Sequence, residues 1–145
     1  MALTDKNILI TGHTGFIGSR VRSALLASGN TTVQFTCRLG SKCKETMKAL
    51  QGGLDDIDAV IHMAANPNGN ANFEAYKDNV EMTYQICEII PKKVPIIFTS
   101  SITVYGDNTW SNEDEIHNLQ PTTLYGLSKL ACEDMLRTYE RRYNR

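Results

Sequence analysis

The chain has 145 residues, 41% of them hydrophobic and 21% charged, with a formal net charge of −1. That length predicts a single domain with a substantial core, and the ordinary composition predicts a soluble globular protein. The near-neutral balance gives no electrostatic reason for nucleic acid or an anionic membrane as a partner. No apolar run approaches the length of a membrane span, and Met1 to Lys6 leads straight into a strand-like run rather than a signal peptide, so a cytoplasmic protein is expected.

Asn7 to Thr11 is a short apolar run that stops at glycine, as a buried parallel strand does. Phe16 to Ser28 carries Ile17, Val21, Leu25 and Leu26 at helical spacing and ends at Gly29-Asn30. Thr32 to Cys37 is β-branched and aromatic and predicts a second strand. Leu39 to Asp58 is too short for a helix, a strand and another helix. It predicts one helix, Lys44 to Gln51, before Gly52-Gly53, with one edge strand missing. Ala59 to Met63 predicts a further strand, followed by a loop with Pro67 and Gly69. A long helix is expected from about Phe73 to Ile90, stopped by Pro91, then a strand over Pro95 to Ser100. The last helix should begin near Thr123, with Leu127, Leu130, Ala131 and Met135 on its apolar side and Arg137, Arg141 and Arg142 suiting its C-terminal dipole. This alternation predicts a doubly wound parallel sheet with helices on both faces, a three-layer α/β/α arrangement. Cys37, Cys43, Cys87 and Cys132 have no paired spacing, which predicts free thiols and no metal site.

Gly12, Gly15 and Gly18 fall at the first strand-to-helix junction. There a glycine permits a tight turn, a close approach of backbone to a pyrophosphate and close helix packing, and the helix N-terminus faces the phosphates. The spacing is G-x-x-G-x-x-G, not the commoner G-x-G-x-x-G, and no Gly-Lys-Ser/Thr of a nucleoside triphosphate loop is present. The plain alternative is a turn that merely needs glycines. An acidic residue ending the second strand would bind the ribose of NAD. Here Cys37 takes that place, Arg38 follows and Lys42 is near, so NADP is expected over NAD. The competing reading of Arg38 is a solvated surface charge.

Tyr125 and Lys129 are four residues apart on the last helix and share a face. A phenol of pKa about 10 is a poor base at neutral pH, and a neighbouring cation lowers it. Ser100 and Ser101 end the preceding strand, where a hydroxyl could orient a substrate oxygen. Tyr-x-x-x-Lys alone is common on amphipathic helices. With the serines and glycines in order it predicts proton transfer beside a dinucleotide.

At these residues the chain resembles the extended short-chain dehydrogenase/reductase family, of the nucleotide-sugar epimerase/dehydratase group. The resemblance rests on Thr11 to Gly18, His62-Met-Ala-Ala65, Asn79-Val80 with Thr83, Thr99-Ser-Ser-Ile-Thr-Val-Tyr-Gly106, Pro121, Tyr125 to Lys129 and Leu130-Ala-Cys-Glu133. It implies a Rossmann-like fold. It also implies Tyr125 as general acid/base, Lys129 binding the nicotinamide ribose and lowering the Tyr125 pKa, and Ser101 hydrogen-bonding the reacting oxygen with Ser100 beside it. Thr14, Phe16 and Ile17 would join the glycines around the cofactor, Ala64 and Ala65 would line it, Leu54 and Asp55 would lie near the adenine, and Asn79 would support the site. His13 and His62 are expected to be structural, since neither has an evident acid/base partner. Dehydratases of the family carry Asp-Glu after the active-site hydroxyl, whereas Ile102-Thr103 stands here, resembling the epimerase or reductase pattern.

The chain stops at Arg145, where family members continue into further strands and a substrate domain, so no separate substrate domain is expected and the nicotinamide pocket should be open. The leading expectation is an NAD(P)-dependent oxidoreductase or epimerase acting on a nucleotide-sugar or related alcohol. Its alternatives are a catalytically silent dinucleotide-binding module or partner subunit, and a piece of a longer protein. The resemblance further implies a homodimer through the helices near 73–90 and 123–142.

Overall fold

A computed structural model describes residues 4–35, 54–70, 73–106 and 119–143. Four strands, β1 (Asn7–Thr11), β2 (Thr31–Phe35), β3 (Ala59–His62) and β4 (Ile96–Phe98), form one parallel sheet in the order β2-β1-β3-β4. Three α-helices connect or follow them: α1 (Phe16–Ala27), α2 (Phe73–Ile89) and α3 (Leu124–Tyr143), with short 3-10 turns at Pro67–Asn70 and Ile102–Tyr105. Among the described residues, the expected strands and helices are present to within a few residues. Strand β4 is shorter than the apolar run suggests: Pro95, which has no N–H to give the ladder, stands before it, and Thr99 and Ser100 lie beyond its end. Residues 36–53, and with them Arg38, Cys37, Cys43 and the expected helix Lys44 to Gln51, lie outside the described residues.

The central strand β1 buries Ile8, Leu9 and Ile10 on both faces, as a strand with two parallel neighbours must. Leu9 pairs in register with Val33 on one side and Val60 on the other, and Val60 with Ile96. Because side chains alternate along a strand, Leu9, Val33, Phe35, Val60 and Ile96 line one face. They join Leu54, Ile57, Ile86, Ile90 and Val94 in the main core. Asp58 sets the start of the ladder: its carboxylate accepts the Asn7 N–H at 2.8 Å and the Lys6 ammonium at 3.0 Å.

Helix α2 buries Ala75, Asn79, Met82, Thr83, Ile86 and Cys87, one stripe of helical period, and packs beside α3. Three of those positions are polar or thiol-bearing, and Asn79 and Thr83 make the α2–α3 seam a hydrogen-bonding surface beside the turn after β3. The opposite face of the sheet is covered, among the described residues, by α1 alone, and there Ile97 of β4 is 59% exposed. Among the described residues no helix is long and apolar enough to cross a membrane. Cys87 and Cys132 are free and buried.

Ile86 is the contact through which α2 meets the sheet. Ile86→Ala should cost about 2–5 kcal/mol through lost burial and the cavity left behind, read from urea unfolding. A cost below about 1 kcal/mol would mean that α2 is not seated as described.

Candidate active site

The chain leaves β1 for β2 on one side of the sheet and returns to β3 on the other. The crevice beyond the carboxyl ends of β1 and β3 is therefore the switch point of the sheet, the place where doubly wound folds take ligands. Two backbone turns meet there. Gly12 has φ +73°, and a Cβ on it would stand 2.7 Å from the Ala64 nitrogen and 2.8 Å from the Met63 carbonyl carbon. Any side chain would force the turn after β1 off the turn after β3. A Cβ on Gly18 would lie 2.1 Å from the Gly12 oxygen, so the first turn of α1 rests directly on the same backbone. The Gly15 N–H donates to the Gly12 carbonyl at 3.0 Å and closes the loop.

Gly15 is the N-cap of α1 and carries no side chain to cap the helix, which leaves its first N–H groups for an anion. Thr14, Gly15, Phe16 and Ile17 are exposed along this rim. Arg20 folds back on it, its guanidinium donating to the Phe16 carbonyl at 3.0 Å and stacking 3.9 Å from the Phe16 ring. Inside the turn, His13 Nδ1 is buried without a hydrogen-bond partner among the described residues. A cradle that a Cβ would fill, at an uncapped helix end, fits a dinucleotide pyrophosphate. Ala64 and Ala65 sit half-buried opposite it.

Beneath the crevice the polar groups are closely paired. Thr11 Oγ1 accepts the Met63 and Ala64 N–H groups, both at 3.1 Å, and lies 2.6 Å from His62 Nδ1. On its other side His62 Nε2 lies 3.1 Å from Thr83 Oγ1 of α2. Asn79, one turn earlier on α2, accepts the Asn66 N–H at 2.6 Å and donates to the Asn66 carbonyl at 3.2 Å and to Ser128 Oγ at 3.0 Å. Ser128 in turn donates to the Tyr125 carbonyl at 2.7 Å. A single buried amide thus ties the loop after Ala65 to the backbone of Tyr125.

Ser101 caps the 3-10 turn that follows β4. Its hydroxyl accepts the Thr103 N–H at 3.3 Å and lies 2.9 Å from the Thr103 hydroxyl. The same turn presses on α3: a Cβ on Gly126 would be 2.4 Å from the Thr103 oxygen. The turn bearing Ser101 and the helix residue after Tyr125 are therefore in backbone contact. Lys129 is buried, donates to the Thr99 carbonyl at 2.9 Å, and stands 4.5 Å from the Phe98 ring centroid and 5.9 Å from that of Tyr125. Burial pushes the Tyr125 phenol above its usual range and the Lys129 ammonium below its own.

Several site residues stand elsewhere than the sequence suggests. Ser100 does not accompany Ser101; its hydroxyl donates to Glu133 in a groove of about 440 Å³ between β4 and α3. Leu54 is 2% exposed and packs in the core, while Asp55 is exposed. Thr83, Thr103, Gly126 and Ser128 hold the site together; the resemblance includes them in its motifs but gives them no role.

Burial, assisted by the Lys129 charge, holds His62 down at about 3 against an ordinary 6.5. The unfolded chain therefore binds a proton between these values that the folded chain refuses, and stability falls as pH drops through that window. Between pH 6.5 and 4.5 the loss from this group should be about 2 kcal/mol, measured as urea midpoints against pH. A flat profile over that range would mean the fold accepts a charged His62.

Residues 8–145 match the Epimerase family, described as the NAD dependent epimerase/dehydratase family. The chain is 33% identical to a UDP-glucose 4-epimerase of Neisseria meningitidis, over 90% of this chain and 47% of that protein. It is 28% identical to a D-erythronate dehydrogenase of Haemophilus influenzae, over 93% and 50%. Among solved structures it superposes with TM-score 0.79 and 27% identity on a UDP-glucuronic acid 4-epimerase from Bacillus cereus in complex with UDP-glucuronic acid and NAD, covering 95% of this chain and 53% of that one. The chain spans about half the length of the curated relatives it matches. With the glycine turn, the Ser101 turn and the Tyr125–Lys129 helix set at one end of a parallel sheet, the chain belongs to the NAD dependent epimerase/dehydratase family.

Proposed function

We propose that the crevice binds a nicotinamide dinucleotide and that Tyr125 exchanges a proton with an alcohol or carbonyl of a nucleotide-sugar or related substrate. The observation that carries this reading is the meeting of two backbone contacts at one end of the sheet. Gly12 lies against Ala64 under an uncapped α1, and Thr103 lies against Gly126 beside Tyr125. The bound dinucleotide would supply the hydride acceptor or donor at the substrate carbon. The chain's own residues do the rest. The α1 N-terminus holds the pyrophosphate, Ala64 and Ala65 floor the crevice, Ser101 orients the reacting oxygen, and Tyr125 takes or returns its proton. Lys129, held by the Thr99 carbonyl, places a positive charge under the phenol and the ribose.

Arg38 in the sequence speaks for NADP, and the NAD in the similar Bacillus cereus structure speaks for NAD. The missing acidic pair at Ile102-Thr103 favours epimerase or reductase chemistry over dehydration. A second reading, a dinucleotide-binding module without turnover, is favoured by one observation: burial raises the Tyr125 phenol, which weakens it as a base at neutral pH.

Calorimetric titration with NAD(H) and NADP(H), then turnover of UDP-glucose and related sugars, separates these readings. Tyr125→Phe should leave dinucleotide affinity within about threefold and lower turnover by about 10²–10⁴-fold. Binding without turnover by the unaltered chain supports the module, and binding of neither dinucleotide sinks both readings.

The outer sides of α2 and α3 expose Phe73, Tyr84 and Leu127, and we infer a homodimer through them. Light scattering should give twice the monomer mass at micromolar concentration, and Leu127→Glu should return the monomer. A monomeric unaltered chain removes the idea.

A further inference from the structure

We propose that His62 is a positioning residue, fixed as the neutral Nε2–H tautomer within a hydrogen-bond chain of one direction that ties the turn after β3 to α2 and α3. Imidazole and hydroxyl hydrogens can usually be drawn either way, but here backbone groups with fixed roles stand at both ends. At the first end, the Met63 and Ala64 N–H groups both point at Thr11 Oγ1, each at 3.1 Å. The Ala64 N–H, and the Met63 N–H that it shares with the Thr11 carbonyl at 3.3 Å, occupy its acceptor side, so the Thr11 hydroxyl hydrogen goes to its remaining neighbour, His62 Nδ1, at 2.6 Å. Nδ1 therefore carries no hydrogen and Nε2 carries one.

That hydrogen points to Thr83 Oγ1 at 3.1 Å. The Thr83 hydroxyl then donates to the Asn79 carbonyl at 2.9 Å, a group that can only accept. Cys132 Sγ of α3 completes the chain, 3.1 Å from Thr83 Oγ1 and 3.5 Å from the same carbonyl. The Thr11 end sets the direction, and at the other end Thr83 can accept from Nε2 while its own hydrogen goes to the Asn79 carbonyl or Cys132 Sγ.

The surroundings agree. His62 is 1% exposed and packs 5.5 Å from the Phe98 ring, and the charged or titratable groups that face it are the Lys129 ammonium and the Cys132 thiol. A second proton would have to enter between Nδ1 and a hydroxyl already committed to donating. A ring so enclosed cannot touch a substrate, so it acts by placement. It holds the Met63–Ala64 turn through Thr11 and the Asn79–Thr83 turn of α2 through Thr83. The second of these turns carries the amide that grips Asn66 and Ser128. Moving one end of the chain must move the other.

The test uses the whole chain with ¹⁵N-labelled histidine. Long-range ¹H–¹⁵N spectra should show His62 as the Nε2–H tautomer, unchanged from pH 7.5 to 5. A Nδ1–H tautomer or an imidazolium in that range overturns the proposal, whether or not any variant folds. Thr83→Val, which removes the acceptor at nearly constant volume, should shift the His62 ring nitrogens and also the Met63 and Ala64 amide signals, and Thr83→Ser should restore them. Silence at those two amides would mean the chain does not transmit. An affinity readout rests on the proposed dinucleotide site: NAD binding should weaken about fivefold in Thr83→Val and stay within twofold in Thr83→Ser. If the unaltered chain binds no dinucleotide, that site reading fails while the spectra still decide the role of His62.

Discussion

The contact on which the rest of this structure depends is between backbones, not side chains. The turn after β1 touches the turn after β3 at Gly12 and Ala64, and α1 touches the turn after β1 at Gly18. Each contact is closer than any Cβ allows, and each fixes one side of the crevice relative to the other. The parallel sheet supplies the setting, because adjacent parallel strands end level with each other and send their chains outward together. The glycines then decide how near the two chains come. A third contact of the same kind, Gly126 against the Thr103 oxygen, brings the helix of Tyr125 and Lys129 to the turn of Ser101. The active end is thus assembled by omitting side chains at three points.

Close backbones leave little room for water, and their polar groups must then find partners in the protein. An unpaired buried amide or hydroxyl costs about 1–3 kcal/mol, which explains why this end of the α2–α3 seam is lined by Asn79, Thr83, Ser128 and Cys132 rather than by leucines. The arrangement has a consequence for specificity of packing. An apolar seam would tolerate a slide of one helix along the other, whereas each of these groups has one set of partners at fixed distances. The far end of the same helices, where Ile86 and Ile90 meet the sheet, is conventional apolar core. The seam therefore divides into a part that holds the fold and a part that sets the site.

This division explains how much the sequence discloses. Strand and helix identities follow from periodicity, since the apolar residues of β1 and α2 repeat as their elements require. The glycine turn is legible because three glycines at a strand-to-helix junction have few other uses, and Tyr125 with Lys129 because the phenol and ammonium share a helical face. The roles of Thr83 and Ser128 are not legible even though the resemblance includes both: a threonine or serine inside a helix looks the same in sequence whether it faces solvent or bonds a buried partner. Ser100 and Ser101 are adjacent, yet one bonds Glu133 of α3 and the other caps the turn after β4, a distinction that composition does not hold. Leu54 falls near the adenine side in sequence order and in the core in space, because its apolar side chain follows burial and not proximity.

The electrostatics of the pair at the site follow from the same enclosure. Burial opposes charge on both partners, raising the phenol of Tyr125 and lowering the ammonium of Lys129. With Lys129 5.9 Å from the phenol ring and hydrogen-bonded to the Thr99 carbonyl, its charge is committed first to the end of β4. An ammonium has three hydrogens, and one carbonyl takes one of them. The remaining hydrogens suit ligand oxygens, such as the hydroxyls of a ribose, and a ligand that engages them restores solvation to the cation that burial has removed. Lys129 is then worth more to the site with a polyhydroxyl ligand present than without one. With the proposed dinucleotide bound, the lysine would couple occupation of the crevice to the charge beside Tyr125, and the enclosure that makes the bare pair reluctant to ionise would also make a bound oxygen count.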